Sequence, residues 1–395
     1  MFRATADKVL ATSIIGSLPR PSWYTETLGT RTFLDAMVHV RYREQYEDAL
    51  SIYLRQQELA GLDIVTDGDC RFDHEVGGQS WARYPAQHME GFDAEAPRLA
   101  PAAAHGVTYP RGHILHDYLE ARVVPAITGP VGRGNLQYAE MWKAAQRLTK
   151  KPVKFGTITP ELLAFTVEDH HYKDVRERIM AISDALNEEL HTLADAGCPV
   201  IQIEEPQIHL APVRGMLDDV ITLDFLRSVF DNTVRGLRDK TEVWCHTCWG
   251  NPSQQRLFSK PQSYGPALET LNQVDADVVT FETRSSGPGD LEAIGRQISD
   301  TDKKIAIGVI DHHTLQVETP EEVADLGRLA LEHIPAERLI LCTDCGMGRE
   351  GMSRRHAFYK MVSLGLGANI LRKELGLPEV ELRAADANLS LIPTA

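Results

Sequence analysis

The chain has 395 residues, 43% of them hydrophobic and 25% charged, which is enough to bury a large core. Asp and Glu outnumber Lys and Arg by 56 to 41, the formal net charge is −15, and no basic block offers a nucleic-acid groove or a patch for an anionic membrane. Six cysteines are too few for a disulfide scaffold at this length, and Gly16 and Pro19 break the N-terminal apolar run before it could span a bilayer, so the expectation is a cytoplasmic protein with free thiols.

In chain order, short β-rich runs alternate with helix-compatible segments. The strand candidates are VLATSIIGS (9–17), LDIVTDGD (62–69), RVVPAITG (122–129), VKFGTIT (153–159), PVIQIEEP (199–206), EVWCHTC (242–248), DVVTFET (277–283), KIAIGVID (304–311) and RLILCTD (338–344). Between them, residues 176–197 carry apolar side chains at Ile179, Ile182, Leu186, Leu190 and Leu193 and close on Gly197. Residues 320–334 open with Pro320 behind Thr319, an N-cap followed by proline at the first helical position. This rhythm predicts an α/β (β/α)₈ TIM barrel formed by residues 1–395 as one catalytic domain, with the extra strand in an inserted hairpin. Residues 70–120 lack clean periodicity and are expected to form a lid over the barrel mouth.

Several strands end in reactive clusters: GSLPR, TDGDCRFD, IEEPQIH, CHTC, FETRSS, DHH and CTDCGMGR. In this kind of barrel the C-terminal strand ends converge on one face, where catalytic side chains gather. Alternation along a strand puts His246 and Cys248 on one face, and Cys245 and Thr247 on the other. Alone, the pair reads as two buried strand residues. With Glu282 ending the next strand and Cys345 just beyond a later one, it makes a tetrahedral Zn²⁺ set of one imidazole, one carboxylate and two thiolates. Cys342 should face away from Cys345, which argues against a redox Cys-x-x-Cys; Cys342, Cys245 and Cys198 read as packing thiols.

The motifs IIGSLPRP (14–21), TDGD (66–69), IQIEEP (201–206), HTC (246–248), FETRSS (281–286), GVIDHH (308–313) and TDCGMGR (343–349) together resemble the catalytic half of the cobalamin-independent methionine synthase family, within the superfamily that also holds uroporphyrinogen decarboxylase. The resemblance implies zinc ligands at His246, Cys248, Glu282 and Cys345, contacts to the thiol substrate at Ile15, Ser17, Asp69 and Glu204, and a proton donor at His313 beside Asp311. It also implies a small-molecule thiol, homocysteine by default, and an alkyl donor as partners; the tail after about 376 could pack on its own barrel or on a neighbouring subunit of a homo-oligomer.

The chain departs from the family where Asp69 replaces Glu and Glu204 replaces Asp. The family's Gly-Pro-Val-Thr segment falls on GTITPELLA (156–164) without the tryptophan that should follow, so a donor other than folate is expected. Arg20 stands where a neutral polar residue is usual and could hold a carboxylate or sulfonate, with Arg71 and Arg349 as weaker candidates. The alternative reading is therefore an epoxyalkane:coenzyme M transferase, in which a sulfonated thiol opens an epoxide. A zinc-free decarboxylase and a metal- or thiol-binding protein are the remaining classes.

Overall fold

The computed structural model describes residues 3–28, 31–71, 80–99, 103–104, 107–108, 110–114, 116, 123–250, 262–298, 301–348 and 351–391. Eight strands form one parallel sheet: β1 (Ala11–Thr12), β2 (Val65–Thr66), β3 (Val153–Ile158), β4 (Val200–Glu204), β5 (Glu242–His246), β6 (Val278–Phe281), β7 (Lys304–Ile310) and β8 (Leu339–Thr343). Their hydrogen-bonded order runs β1-β8-β7-β6-β5-β4-β3-β2. The seam between β1 and β2 is bridged by the Asp63 and Ile64 N–H groups, both 3.1 Å from the Thr12 carbonyl. The sheet therefore curls into the TIM barrel that the alternating pattern predicts.

The ninth strand-like run also forms, outside the barrel. Val123–Gly132 pairs antiparallel with Glu90–Leu99 in a hairpin and parallel with Glu168–Asp169. The lid expected over 70–120 is described only in part: helix Ser80–His88 and the hairpin are seen, whereas 72–79 and most of 100–122 lie outside the described residues.

Two strands are much shorter than their apolar runs, and distant side chains take some of the runs' backbone donors. The Thr12 N–H goes to Asp63 Oδ2 at 2.9 Å and the Ile15 N–H to Thr343 Oγ1 at 3.1 Å, so the 9–17 run yields only Ala11–Thr12 as ladder. Thr66 N–H, at the end of the short β2, donates to Gln57 Oε1 at 2.8 Å. The 176–197 pattern forms helix Val175–Asp195, capped by Asp174, with all five apolar positions buried. The 320–334 pattern forms Pro320–Leu331 behind a complete Thr319/Glu322 capping box.

Alternation separates two cores. Val200, Trp244, Val278, Ala306, Ile340 and Cys342 fill the barrel interior, while Val243, Cys245 and Val279 pack outward against the helices. Cys342 and Cys245 are thus packing thiols, as is the buried Cys198, and all six cysteines are free. No helix among the described residues is long and apolar enough to cross a membrane.

Candidate metal and thiol site

His246 closes β5 facing inward, Cys248 follows two residues later, and Cys345 follows the end of β8. All three are buried, one ligand atom from each lies within 4.8 Å of the others, and Cys248 Sγ is 3.3 Å from Cys345 Sγ. The imidazole is oriented by its ladder partner on β6: Thr280 Oγ1 is 2.6 Å from Nδ1. Nε2 is buried without a hydrogen-bond partner, with Glu204 Oε2 at 3.5 Å. An orphaned imidazole nitrogen beside two close thiols is a donor set that suits zinc. The mutual hydrogen bond with Cys345 and burial push the Cys248 thiol well up, a cost that a bound cation would reverse by taking the thiolate.

Glu282 lies outside that 4.8 Å group. Its Oε2 accepts from the Trp249 N–H at 2.8 Å, its other oxygen accepts from the Ser285 hydroxyl, and burial raises its carboxyl to about 8. One of its oxygens is within 4.8 Å of ring nitrogens of His312 and His313. Asp344 holds the turn that carries Glu282, accepting from the N–H groups of Thr283 and Arg284 at 2.9 Å and of Ser285 at 2.7 Å. The approach is close: a Cβ on Gly308 would meet Asp344 Oδ1 at 1.9 Å, so only glycine fits where β7 shifts register.

Asp311 caps its own turn, Oδ1 accepting from the His313 N–H at 2.7 Å, and the same oxygen is 3.5 Å from His313 Nδ1. His313 Nε2 is 3.1 Å from the Gly250 carbonyl, which requires its proton there. The carbonyl of Gly250 thus sets the tautomer of His313. His312 is fully buried, its ring 3.8 Å from that of His313.

On the opposite side of the mouth, Asp69 follows β2 in the left-handed region, φ 51°, its N–H held by Asp67 Oδ1 at 3.0 Å. Arg71 is buried and donates to Asp69 Oδ1 at 3.1 Å and to the Gly156 carbonyl at 2.8 Å, with Asp67 Oδ2 at 3.8 Å. Burial opposes the guanidinium's charge, and Asp67 and Asp69 more than restore it. Glu204 ends β4, where burial lifts its carboxyl to about 7 against the lowering pull of His246. A Cβ on Gly156 would sit 3.6 Å from Glu204 Oε1 and 3.7 Å from Asp69 Oδ1, so the two carboxylates converge over a backbone with no side chain.

Ile15 and Ser17 are buried beside them, and the Ser17 carbonyl accepts from the N–H groups of Met347 and Gly348. Arg20 donates to the Arg71 carbonyl at 3.1 Å and stacks 5.0 Å from the Tyr24 ring centroid. Arg349 lies outside the described residues. Sequence reasoning passed over Thr280, although its inward register opposite His246 was a readable signal.

A parallel eight-stranded barrel with its reactive side chains gathered at the C-terminal strand ends defines the class, a TIM-barrel enzyme architecture. The particular family follows from comparison: residues 99–365 match the catalytic domain of the cobalamin-independent synthases, and the chain belongs to that family. It is 27% identical to a methionine synthase of Saccharolobus solfataricus over 93% of this chain and 96% of that one. A methionine synthase of Sulfurisphaera tokodaii is 26% identical over 93% and 94%. The B12-independent methionine synthase of Shewanella sp. W3-18-1, solved with selenomethionine, superposes with a TM-score of 0.74 at 28% identity, covering 93% of this chain and 99% of that one. These relatives make the chain a transferase of the methionine synthase kind.

Proposed function

We propose that this chain methylates the sulfur of a small amino-acid thiol, homocysteine, at a zinc ion held by His246, Cys248 and Cys345, with Glu282 as a fourth, displaceable ligand. The observation that carries the reading is the convergence of two thiols on a buried imidazole whose outer nitrogen is held by Thr280. When bound, zinc would supply the acidity that turns the substrate thiol into a thiolate at neutral pH.

The protein's own groups do the rest. Asp69 and Glu204 receive the substrate ammonium, and the Ile15 backbone and Ser17 line the same subsite. Glu282 is the ligand most readily exchanged, being the hard oxygen donor among softer ones and already hydrogen-bonded in the position seen here. His313 gives its Nε2 proton to the leaving group of the methyl donor after releasing the Gly250 carbonyl, and Asp311 holds the turn that carries it. The whole chain acts as one catalytic unit, and residues 70–120 serve as its lid. In support, Tyr84 of helix Ser80–His88 lies 6.2 Å from Tyr138, whose hydroxyl bonds Thr157 and whose ring lies 6.0 Å from the Arg71 guanidinium. The six free thiols suit the reducing cytoplasm.

Arg20, which an epoxide-opening transferase would need for a sulfonate, is engaged with the Arg71 carbonyl and Tyr24, and no observation favours that alternative. The test is to measure zinc per chain and methionine formation for the wild type and a His246→Ala, Cys345→Ser double variant. Stoichiometric zinc and turnover in the first, and neither in the second, are expected. A wild type purified without zinc, which does not take it up, would sink the reading.

A further inference from the structure

Two buried side chains inside the barrel have no part in the roles above: Lys154 on β3 and Gln202 on β4. The Lys154 ammonium donates to the Ile14 carbonyl at 2.8 Å and to Gln202 Oε1 at 2.6 Å, and lies 4.3 Å from the centroid of the Trp244 ring. The Gln202 amide nitrogen donates to the Ile15 carbonyl at 3.0 Å and to Glu204 Oε1 at 2.5 Å.

Both Nε2 hydrogens and the Oε1 oxygen of Gln202 are therefore engaged, each by a partner of the matching kind. Turning the amide over would set its NH₂ against an ammonium and its oxygen against a carbonyl and a carboxylate, so its orientation is fixed by chemistry. An ammonium on the amide oxygen polarises the N–H groups and strengthens their hold on Glu204. The network spans the barrel: it ties the two carbonyls after β1, at Ile14 and Ile15, to the carboxylate that ends β4. Gly156 leaves the space in which these groups and Asp69 meet, since a Cβ there would lie 3.6 Å from Glu204 Oε1 and 4.0 Å from Gln202 Nε2.

We propose that Lys154 and Gln202 are positioning residues that hold the Ile15 backbone and the Glu204 carboxylate as one unit, and thereby set selectivity for a thiol that carries an α-ammonium group. This rests on the thiol-subsite reading above. Without the amide, Glu204 regains side-chain freedom that a bound ammonium must remove, and the Ile15 carbonyl loses its anchor.

The test uses cobalt(II)-loaded protein, in which a thiolate-to-metal absorption band reports thiol coordination without any methyl donor. L-homocysteine is titrated against 4-mercaptobutanoate, which lacks only the amino group. Wild type should favour homocysteine. Gln202→Met should cut that preference about 10-fold or more, the range expected for lost hydrogen bonds to a charged group, while binding of the des-amino thiol stays near wild type. Lys154→Met should cut it less. General loosening of the barrel would weaken both thiols alike and leave the ratio unmoved. Gln202→Asn, which keeps a polar amide but shortens its reach, gives the same reading if the Met variant does not fold. An unchanged ratio in the Gln202 variants overturns this inference alone. A wild type that binds both thiols equally overturns it together with the amino-group subsite, and a wild type with no band for either thiol overturns the thiol reading itself.

Discussion

The β1–β4 side of the barrel mouth and its β5–β8 side differ in how completely their polar atoms are paired. On the first, Arg71 donates to Asp69 and the Gly156 carbonyl, Asp67 holds the Asp69 N–H, and the Gln202 amide is engaged at every position. On the second, His246 Nε2 is buried without a hydrogen-bond partner, facing two thiols whose sulfurs are 3.3 Å apart. Buried polar groups left unpaired are costly, so the contrast has a physical meaning. The satisfied side holds its two carboxylates, Asp69 and Glu204, together over Gly156, as the proposed subsite for a cationic group requires. The other side gathers His246, Cys248 and Cys345 at one place, the arrangement that the proposed zinc site needs.

If that contrast is right, the largest effect comes from emptying the second side. Cys345→Ser, or dialysis of the wild type against a chelator, should abolish stoichiometric zinc and methyl transfer together, measured by metal analysis and methionine formation. The satisfied side should meanwhile keep the barrel folded, read by far-UV circular dichroism. Loss of the fold along with the metal would break the comparison, because it would make the ion structural.

A different failure is expected on the first side. Asp69→Ala leaves the Arg71 guanidinium buried with only Asp67, at 3.8 Å, to balance it. Breaking one partner from a buried ion pair costs about 3–5 kcal/mol, and denaturant unfolding should show a loss of that order while zinc binding is retained. Adding Arg71→Met to Asp69→Ala should return part of it. If Asp69→Ala is neutral, the satisfied side does not depend on that ion pair.

The barrel was legible because its strands lie in apolar runs and helices such as Val175–Asp195 and Pro320–Leu331 carry a readable period or cap, and inward alternation along β5 puts His246 with Cys248. What could not be read was the fate of individual backbone donors. Nothing local in VLATSIIGS says that Asp63 and Thr343 will take two of its N–H groups and leave a ladder of only Ala11–Thr12. Helix Ser80–His88 escaped notice because Pro85 sits inside it and the surrounding residues lack a helical period. In the site, residue types at strand ends were visible, but not which nitrogen of His313 carries the proton. That depends on the carbonyl of Gly250, which is 63 positions away in the chain.

A finer contrast lies in how the ligand nitrogen is aimed. Thr280→Val keeps the shape of the β6 side chain but removes the oxygen 2.6 Å from His246 Nδ1. Loss of such an orienting partner typically lowers metal affinity about 10- to 100-fold, which competition with a chromophoric chelator would measure. Zinc affinity unchanged in Thr280→Val would mean that packing alone sets the ring, and that the unsatisfied side owes its geometry to the barrel rather than to hydrogen bonds.

The smallest effect tests the exception on the satisfied side. Asp67 Oδ2 is buried without a hydrogen-bond partner, and burial raises the Asp67 carboxyl to about 6 from its ordinary 3.8, even with Arg71 pulling it down. Because the folded-state value lies above the unfolded one, the native protein binds this proton more tightly. The group's contribution to stability is therefore fully present below about pH 4, falls as the pH rises toward 6, and stays flat above that. Asp67→Asn keeps an oxygen to accept the Asp69 N–H and removes the charge, so it should erase that slope. Wild type and variant should then converge near pH 4 and separate in favour of the variant near pH 7, as read from melting temperatures across the range. Parallel profiles would mean that Arg71 already neutralises Asp67 in the fold.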